Sequence, residues 1–128
     1  MEEKYVEMHI DDMKSAKNCW QTWQRDARRL LKKIQNIEET KLNRWELKSL
    51  EMSYSFFIEK IGVIISTYSK LINLAENCDL EEDYFLKTIK LVQCTHKELG
   101  QEYHKKSFTE LNNKYVHGIK ESEAITSI

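Results

Sequence analysis

The sequence predicts an all-α protein: an elongated antiparallel three-helix bundle that runs up, down and up, with a short fourth helix at the carboxyl end. Three observations support this prediction. The 128-residue chain has no proline and three glycines, which is typical of a chain that is helical almost throughout. Apolar residues recur every three or four positions over two long stretches. The connections between these stretches are short, so consecutive helices must be antiparallel.

The first helix is expected from about Glu3 to Ile37. Its apolar positions form a heptad seam of the coiled-coil type, which includes two tryptophans. The pattern therefore predicts that both rings are buried in the middle of the core, beside Phe57, Ile61 and His96. The seam consists of Val6, His9, Met13, Ala16, Trp20, Trp23, Ala27, Leu30, Ile34 and Ile37.

The second helix is expected to begin at Asn43. Asn43 and Glu46 have the spacing of a capping box, and Leu42 and Leu47 have that of a hydrophobic staple. Its apolar residues cover more than half of the helix circumference, which is too wide for one neighbour. Helix two is therefore predicted to be central and to contact at least two other helices. The apolar residues are Leu50, Tyr54, Phe56, Phe57, Ile58, Ile61, Val63, Ile64, Ile65, Tyr68, Leu71, Ile72, Leu74, Ala75 and Cys78.

Two further capping boxes predict where the remaining helices start. Asp79 with Glu82 opens helix three, and Ser107 with Glu110 opens a short helix four. The apolar residues of helix three are Phe85, Ile89, Val92, His96, Leu99 and Tyr103, and those of helix four are Phe108, Leu111, Tyr115, Val116 and Ile119. Residues 1–121 are predicted to form one domain, and residues 122–128, which lack an apolar period, to fray as a tail.

Composition narrows the class of protein. Twenty lysines and arginines are balanced by 21 aspartates and glutamates, so bulk charge does not favour binding to nucleic acid. No apolar run reaches the roughly 20 residues that cross a bilayer, so no membrane association is expected. The three cysteines, Cys19, Cys78 and Cys94, lack CxxC spacing. They are typical of reduced thiols in a cytoplasmic protein.

The sequence contains no pattern that indicates catalysis, a metal or a cofactor. There is no Glu-x-x-His pair of the kind used in di-iron bundles, no nucleophile elbow and no glycine-rich loop before a helix. His96 lies on an apolar stripe and is interpreted as a core histidine. We therefore expect no enzyme activity, no catalytic residues and no metal site.

Two surface patterns are candidates for binding. One is a stripe of small residues on helix two, where an exposed helix would usually carry glutamate, lysine or glutamine. This stripe is expected to pack closely against helix four, a second copy of the chain or a foreign helix, and the last two possibilities make it a candidate partner-binding surface. It consists of Ser55, Gly62, Ser66, Ser69 and Asn73. The other is a basic patch near the end of helix one, formed by Arg25, Arg28, Arg29, Lys32, Lys33 and Arg44.

The function most consistent with these patterns is a non-enzymatic module for protein–protein interaction, such as an adaptor, inhibitor, immunity protein or regulatory subunit. Its partner would be another protein or a second copy of the chain. Two alternatives remain. The basic patch and the nearby tryptophans could bind nucleic acid, although the rings and charges map to different faces of helix one. A small ligand could bind in a pocket beside Trp20 and Trp23.

Overall fold

The computed structural model describes residues 2–117, and their side chains from residue 10 to residue 116. This part of the chain contains helices and no strand, which confirms the predicted bundle with a short fourth helix. The side chains of Val6 and His9, together with Ile119 and the predicted tail 122–128, lie outside the described residues. The elements are α1 (Glu2–Gln35), α2 (Arg44–Glu76), α3 (Glu82–Tyr103) and α4 (Lys106–Asn112), followed by a π-helical turn (Asn113–His117).

The structure confirms that α2 is the central helix, because it contacts α1, α3 and α4. Leu50, Ile64 and Leu71 on α2 are at most 1% exposed. A main core joins α1, α2, α3 and α4, and a smaller cluster closes the far end around Met13 and Leu71. Residues from the start of α1, the end of α2 and the start of α3 meet in that smaller cluster, as the up-down-up order requires.

Helix two begins after Asn43 as predicted, but the predicted capping box and staple are wrong. The Asn43 side chain accepts a hydrogen bond from the Thr40 backbone N–H at 2.7 Å and donates one to the Glu38 carbonyl at 3.0 Å. Its oxygen is therefore engaged in the preceding turn, and it makes no side-chain cap bond to α2. Glu46 binds residues near the carboxyl end of the described chain, and Leu42 is 92% exposed.

The connection from α2 to α3 is a Schellman motif, which overturns the capping box predicted at Asp79. Cys78 has a φ of 57°, and its N–H donates to the Ala75 carbonyl while the Asp79 N–H donates to the Leu74 carbonyl at 2.8 Å. Asp79 thus belongs to the end of α2, and α3 begins three residues later, at Glu82.

The capping box predicted for α4 is also wrong. Helix α4 begins at Lys106, one residue before Ser107, and makes no side-chain cap bond.

Hydrogen bonds between side chains attach α4 and the π-helical turn to α2. The Tyr54 hydroxyl donates to Asn112 Oδ1 at 2.5 Å, and Glu46 accepts from Lys114 at 3.1 Å and from the Tyr115 hydroxyl at 3.2 Å. Burial, with a smaller contribution from Tyr103, raises the pKa of Tyr54 to about 12. The short helix four is therefore held by polar contacts as well as by the rings of Phe108 and Tyr54, whose centroids are 5.7 Å apart.

The two tryptophans of α1 have different environments, which corrects the prediction that both are core residues. Trp20 is 8% exposed, whereas Trp23 is 55% exposed. A straight α-helix has 3.6 residues per turn, so its buried face drifts away from a strict 3.5-residue heptad. Between Trp20 and Ala27, the residue that reaches α2 is Gln24, whose Nε2 donates to the Ile58 carbonyl oxygen at 3.0 Å.

His96 is exposed, so its interpretation as a core histidine is wrong as well. Its ring packs edge-on against Trp20, with the centroids 5.1 Å apart, which confirms that the two residues lie at the same height. The imidazole therefore covers the outside of the core.

Candidate protein-binding face

The small-residue stripe of α2 is only partly open to solvent. Ser55, Ser66 and Asn73 are exposed, whereas Gly62 and Ser69 are half-buried. The Ser69 hydroxyl donates to the Ile65 carbonyl of its own helix at 2.9 Å, which satisfies its hydrogen-bonding group.

Gly62 lies close to α1, a neighbour that the sequence analysis did not consider for this stripe. A Cβ at this position would lie 3.1 Å from Gln24 Nε2 of α1. The glycine thus leaves room for the Gln24 side chain to reach the Ile58 carbonyl. This part of the stripe therefore faces α1, and α4 packs elsewhere on α2, against Tyr54 and Phe57.

Beside the stripe, α2 carries a row of apolar side chains on its outward face. At about 100° per residue, the members of this row lie within an arc of about 40°. Trp45 is 76% exposed, Met52 67% and Val63 51%, and the other two are partly covered. We call this row, which runs almost the whole length of the helix, the outer row of α2: Trp45, Met52, Phe56, Val63 and Leu74.

Lysine side chains border the outer row. Lys48 Nζ lies 6.0 Å from the centroid of the Trp45 ring, and Lys60 Nζ lies 5.7 Å from that of Phe56. Lys60 also pairs with Glu98 of α3 at 3.4 Å. An apolar centre with a charged border is the usual composition of a protein-binding surface.

The apolar surface extends from α2 onto α3. Tyr84, Leu91 and Glu98 are seven residues apart and so share one side of α3. Glu98 pairs with Lys60, and Lys70 Nζ lies 5.6 Å from the Tyr84 ring, which shows that this side borders α2. Leu91 is 67% exposed and lies midway between these two contacts along α3, beside the part of α2 between Lys60 and Lys70.

The basic patch of α1 lies on a different surface. Arg25, Arg28, Arg29 and Lys32 are exposed on the outer side of α1, and Lys33 is half-buried. Arg44 is on α2 and pairs with Glu39 at 3.1 Å. Trp23 is exposed, yet at about 100° per residue it points away from the arginines, so ring and charges do not form one surface.

The side chains of residues 10–116 contain no group of three or more histidine, cysteine or acidic residues placed to hold a metal ion. A shallow groove, open to solvent, lies on α3 beside Trp20 and is lined by Gln93, His96, Lys97, Gly100, Gln101 and His104. In the described part of the chain, no helix is both long and apolar enough to span a membrane.

The sequence reasoning missed the outer row as a site. It recognised that the apolar arc containing Phe56, Val63 and Leu74 is wider than helices one and three can cover, which made a second copy a possible partner, but it did not single out Trp45 or Met52. The excess width of that arc was the available signal, because α1, α3 and α4 leave this part of α2 uncovered.

No family model, curated protein or solved structure matches this chain.

Proposed function

We propose that this protein is a non-enzymatic helical module that binds a protein partner through the outer row of α2. The observation that carries the proposal is the exposure of three large apolar side chains, Trp45, Met52 and Val63, on one side of one helix. Isolated apolar residues are common on protein surfaces, but a contiguous row usually marks an interaction surface.

The composition of the face supports a protein as the partner. Trp and Met are enriched at the centres of protein interfaces, and an apolar row at helical spacing suits a groove or a second helix. The lysines on its border are too few to attract a polyanion, and the chain as a whole has 20 basic and 21 acidic residues.

A binding experiment with matched variants tests the proposal. The wild type, Met52→Glu/Val63→Glu and Leu86→Glu are immobilised and exposed to extract from the native cell. Leu86 is 48% exposed on the far side of α3, so its replacement adds a glutamate at an exposed apolar position away from the outer row.

The expected result is a partner that the wild type and Leu86→Glu retain and that Met52→Glu/Val63→Glu loses. Circular dichroism must show that all three proteins are equally helical. The proposal is wrong if the three folded proteins retain the same partners in the same amounts.

Adaptor, inhibitor, immunity protein and regulatory subunit are the roles that we propose for such a module. The cytoplasm is the proposed compartment, and it is supported by three free, exposed cysteines, which an oxidising compartment would leave open to pairing.

Nucleic-acid binding through the basic patch remains an untested alternative. It predicts retention on a nucleic-acid column that falls steeply with salt and that Arg28→Glu/Arg29→Glu abolishes. Ligand binding beside Trp20 predicts a change in tryptophan fluorescence when the ligand is added.

A further inference from the structure

We propose that the partner of the outer row is a second copy of this chain, packed with its α2 antiparallel to the first. This inference rests on the proposed function, because it names the occupant of the same face. In this pair, the two outer rows meet across a two-fold axis near the middle of α2.

The area of the face is the first argument. Trp45, Met52, Val63 and Leu91 each expose half or more of their surface. Together these four side chains present roughly 500–600 Å² of accessible area, which is at the upper end for the largest apolar patch of a monomer. A stable interface buries roughly 800 Å² per partner, so these four side chains supply about two thirds of that area.

The distribution of side-chain size along α2 is the second argument. The first half of the outward face carries the large side chains of Trp45, Met52 and Phe56. The second half carries the smaller Val63 and Leu74, whereas small flanking residues occur in both halves: Ser49 and Ser55 in the first, and Ser66, Thr67 and Asn73 in the second. The one long side chain there, Lys70, extends over the Tyr84 ring of α3 and leaves the row.

This size gradient selects the orientation of the pair. In a parallel pair, large residues would meet large ones and small residues would leave a gap. In an antiparallel pair, the large half of one copy meets the small half of the other, as close packing requires. A two-fold axis makes this match occur twice, once at each end.

If the two α2 helices overlap along their full length, the residues that lie opposite each other can be stated. With Arg44–Glu76 of both copies aligned, the axis passes near residue 60. To within one residue, Trp45 then lies level with Leu74 of the second copy, Met52 with Thr67, and Phe56 with Val63. The two exposed Glu59 side chains then lie close to each other across the axis, and the repulsion between their like charges opposes the pairing.

Cross-linking tests the orientation directly. All variants are made in a background with Cys19→Ser, Cys78→Gly and Cys94→Ser, which removes the three free thiols. Under mild oxidation, a mixture of the Met52→Cys and Thr67→Cys proteins should form a mixed dimer. Neither protein alone should cross-link, because the single thiols of the two copies in its dimer would be roughly 20 Å apart.

Sedimentation equilibrium tests the association itself. The apparent mass of the wild type should rise from 15.3 kDa to twice that value as the protein concentration is increased. Met52→Glu/Val63→Glu should weaken the dimer at least tenfold, and Leu86→Glu should leave it within threefold of the wild type.

Three results would overturn the inference: a wild type that stays monomeric up to about 1 mM, a dimer that survives in Met52→Glu/Val63→Glu, or Met52→Cys cross-linking to itself. A monomeric wild type that still loses a retained partner through Met52→Glu/Val63→Glu refutes only the second copy and leaves the proposed function standing. A monomeric wild type whose retained proteins are unchanged in that variant refutes both.

Discussion

The two tryptophans of α1 provide the sharpest test of the structure, because Trp20→Ala and Trp23→Ala remove the same ring from different environments. Trp20 is 8% exposed and Trp23 is 55% exposed. An indole offers about 200 Å² of surface, and burial contributes about 25 cal/mol per Å². Trp20 thus contributes about 5 kcal/mol and Trp23 about 2 kcal/mol, both upper estimates because the unfolded chain is itself compact.

We therefore expect Trp20→Ala to lower the free energy of unfolding by about 3 to 5 kcal/mol and Trp23→Ala by about 1 to 2 kcal/mol. Urea unfolding followed by far-ultraviolet circular dichroism measures both changes without relying on the fluorescence that the substitutions remove. Equal losses, or a larger loss for Trp23→Ala, would mean that α1 presents the strict heptad face to α2 and that the position assigned to Gln24 is wrong.

Three further predictions concern the backbone and the buried hydroxyl. A Cβ at Gly100 meets nothing within 4 Å, whereas one at Gly62 meets Gln24. Gly100→Ala should therefore raise the free energy of unfolding by about 0.5 to 1 kcal/mol, and Gly62→Ala should gain less; equal gains in urea unfolding would contradict this contact. Cys78→Gly should be more stable than Cys78→Ala by about 1 kcal/mol in thermal melts, since the φ of 57° suits glycine, and no difference would refute the left-handed turn. The raised pKa of Tyr54, about 12 against 10.0, favours the neutral hydroxyl in the folded state. The resulting stability is full below pH 10 and is lost as the pH rises towards 12. Tyr54→Phe should flatten that part of the pH dependence in urea unfolding, and an unchanged slope would show that Tyr54 does not cause it.

Much of the fold was predictable from local pattern. The spacing of apolar residues identified both long helices, the short fourth helix and the buried positions Met13, Leu50, Ile64 and Val92. These features depend on the 3.6-residue period and on the absence of proline, which the sequence contains directly.

The candidate site was predicted less well, because exposure depends on which neighbours arrive. The small-residue stripe lies outside the main seam of α2, yet its Gly62 accommodates Gln24 of α1. The outer row, by contrast, has the same apolar composition as the core. Only the absence of a covering helix along Met52 and Val63 distinguishes it from core, within the described part of the chain.

The sequence by itself therefore determined the helical class, the order of the helices and most of the core, since each follows from neighbours along the chain. The tertiary structure decided which side of each helix stays open. Adjacent residues of α1 are about 100° apart around the helix, so Gln24 and not Trp23 reaches α2. The Thr40 N–H donates to the Asn43 side chain, which therefore stabilises the turn before α2 and does not cap the helix. These outcomes depend on residues that are far apart in the sequence or on competition between hydrogen bonds. A local sequence pattern does not predict them.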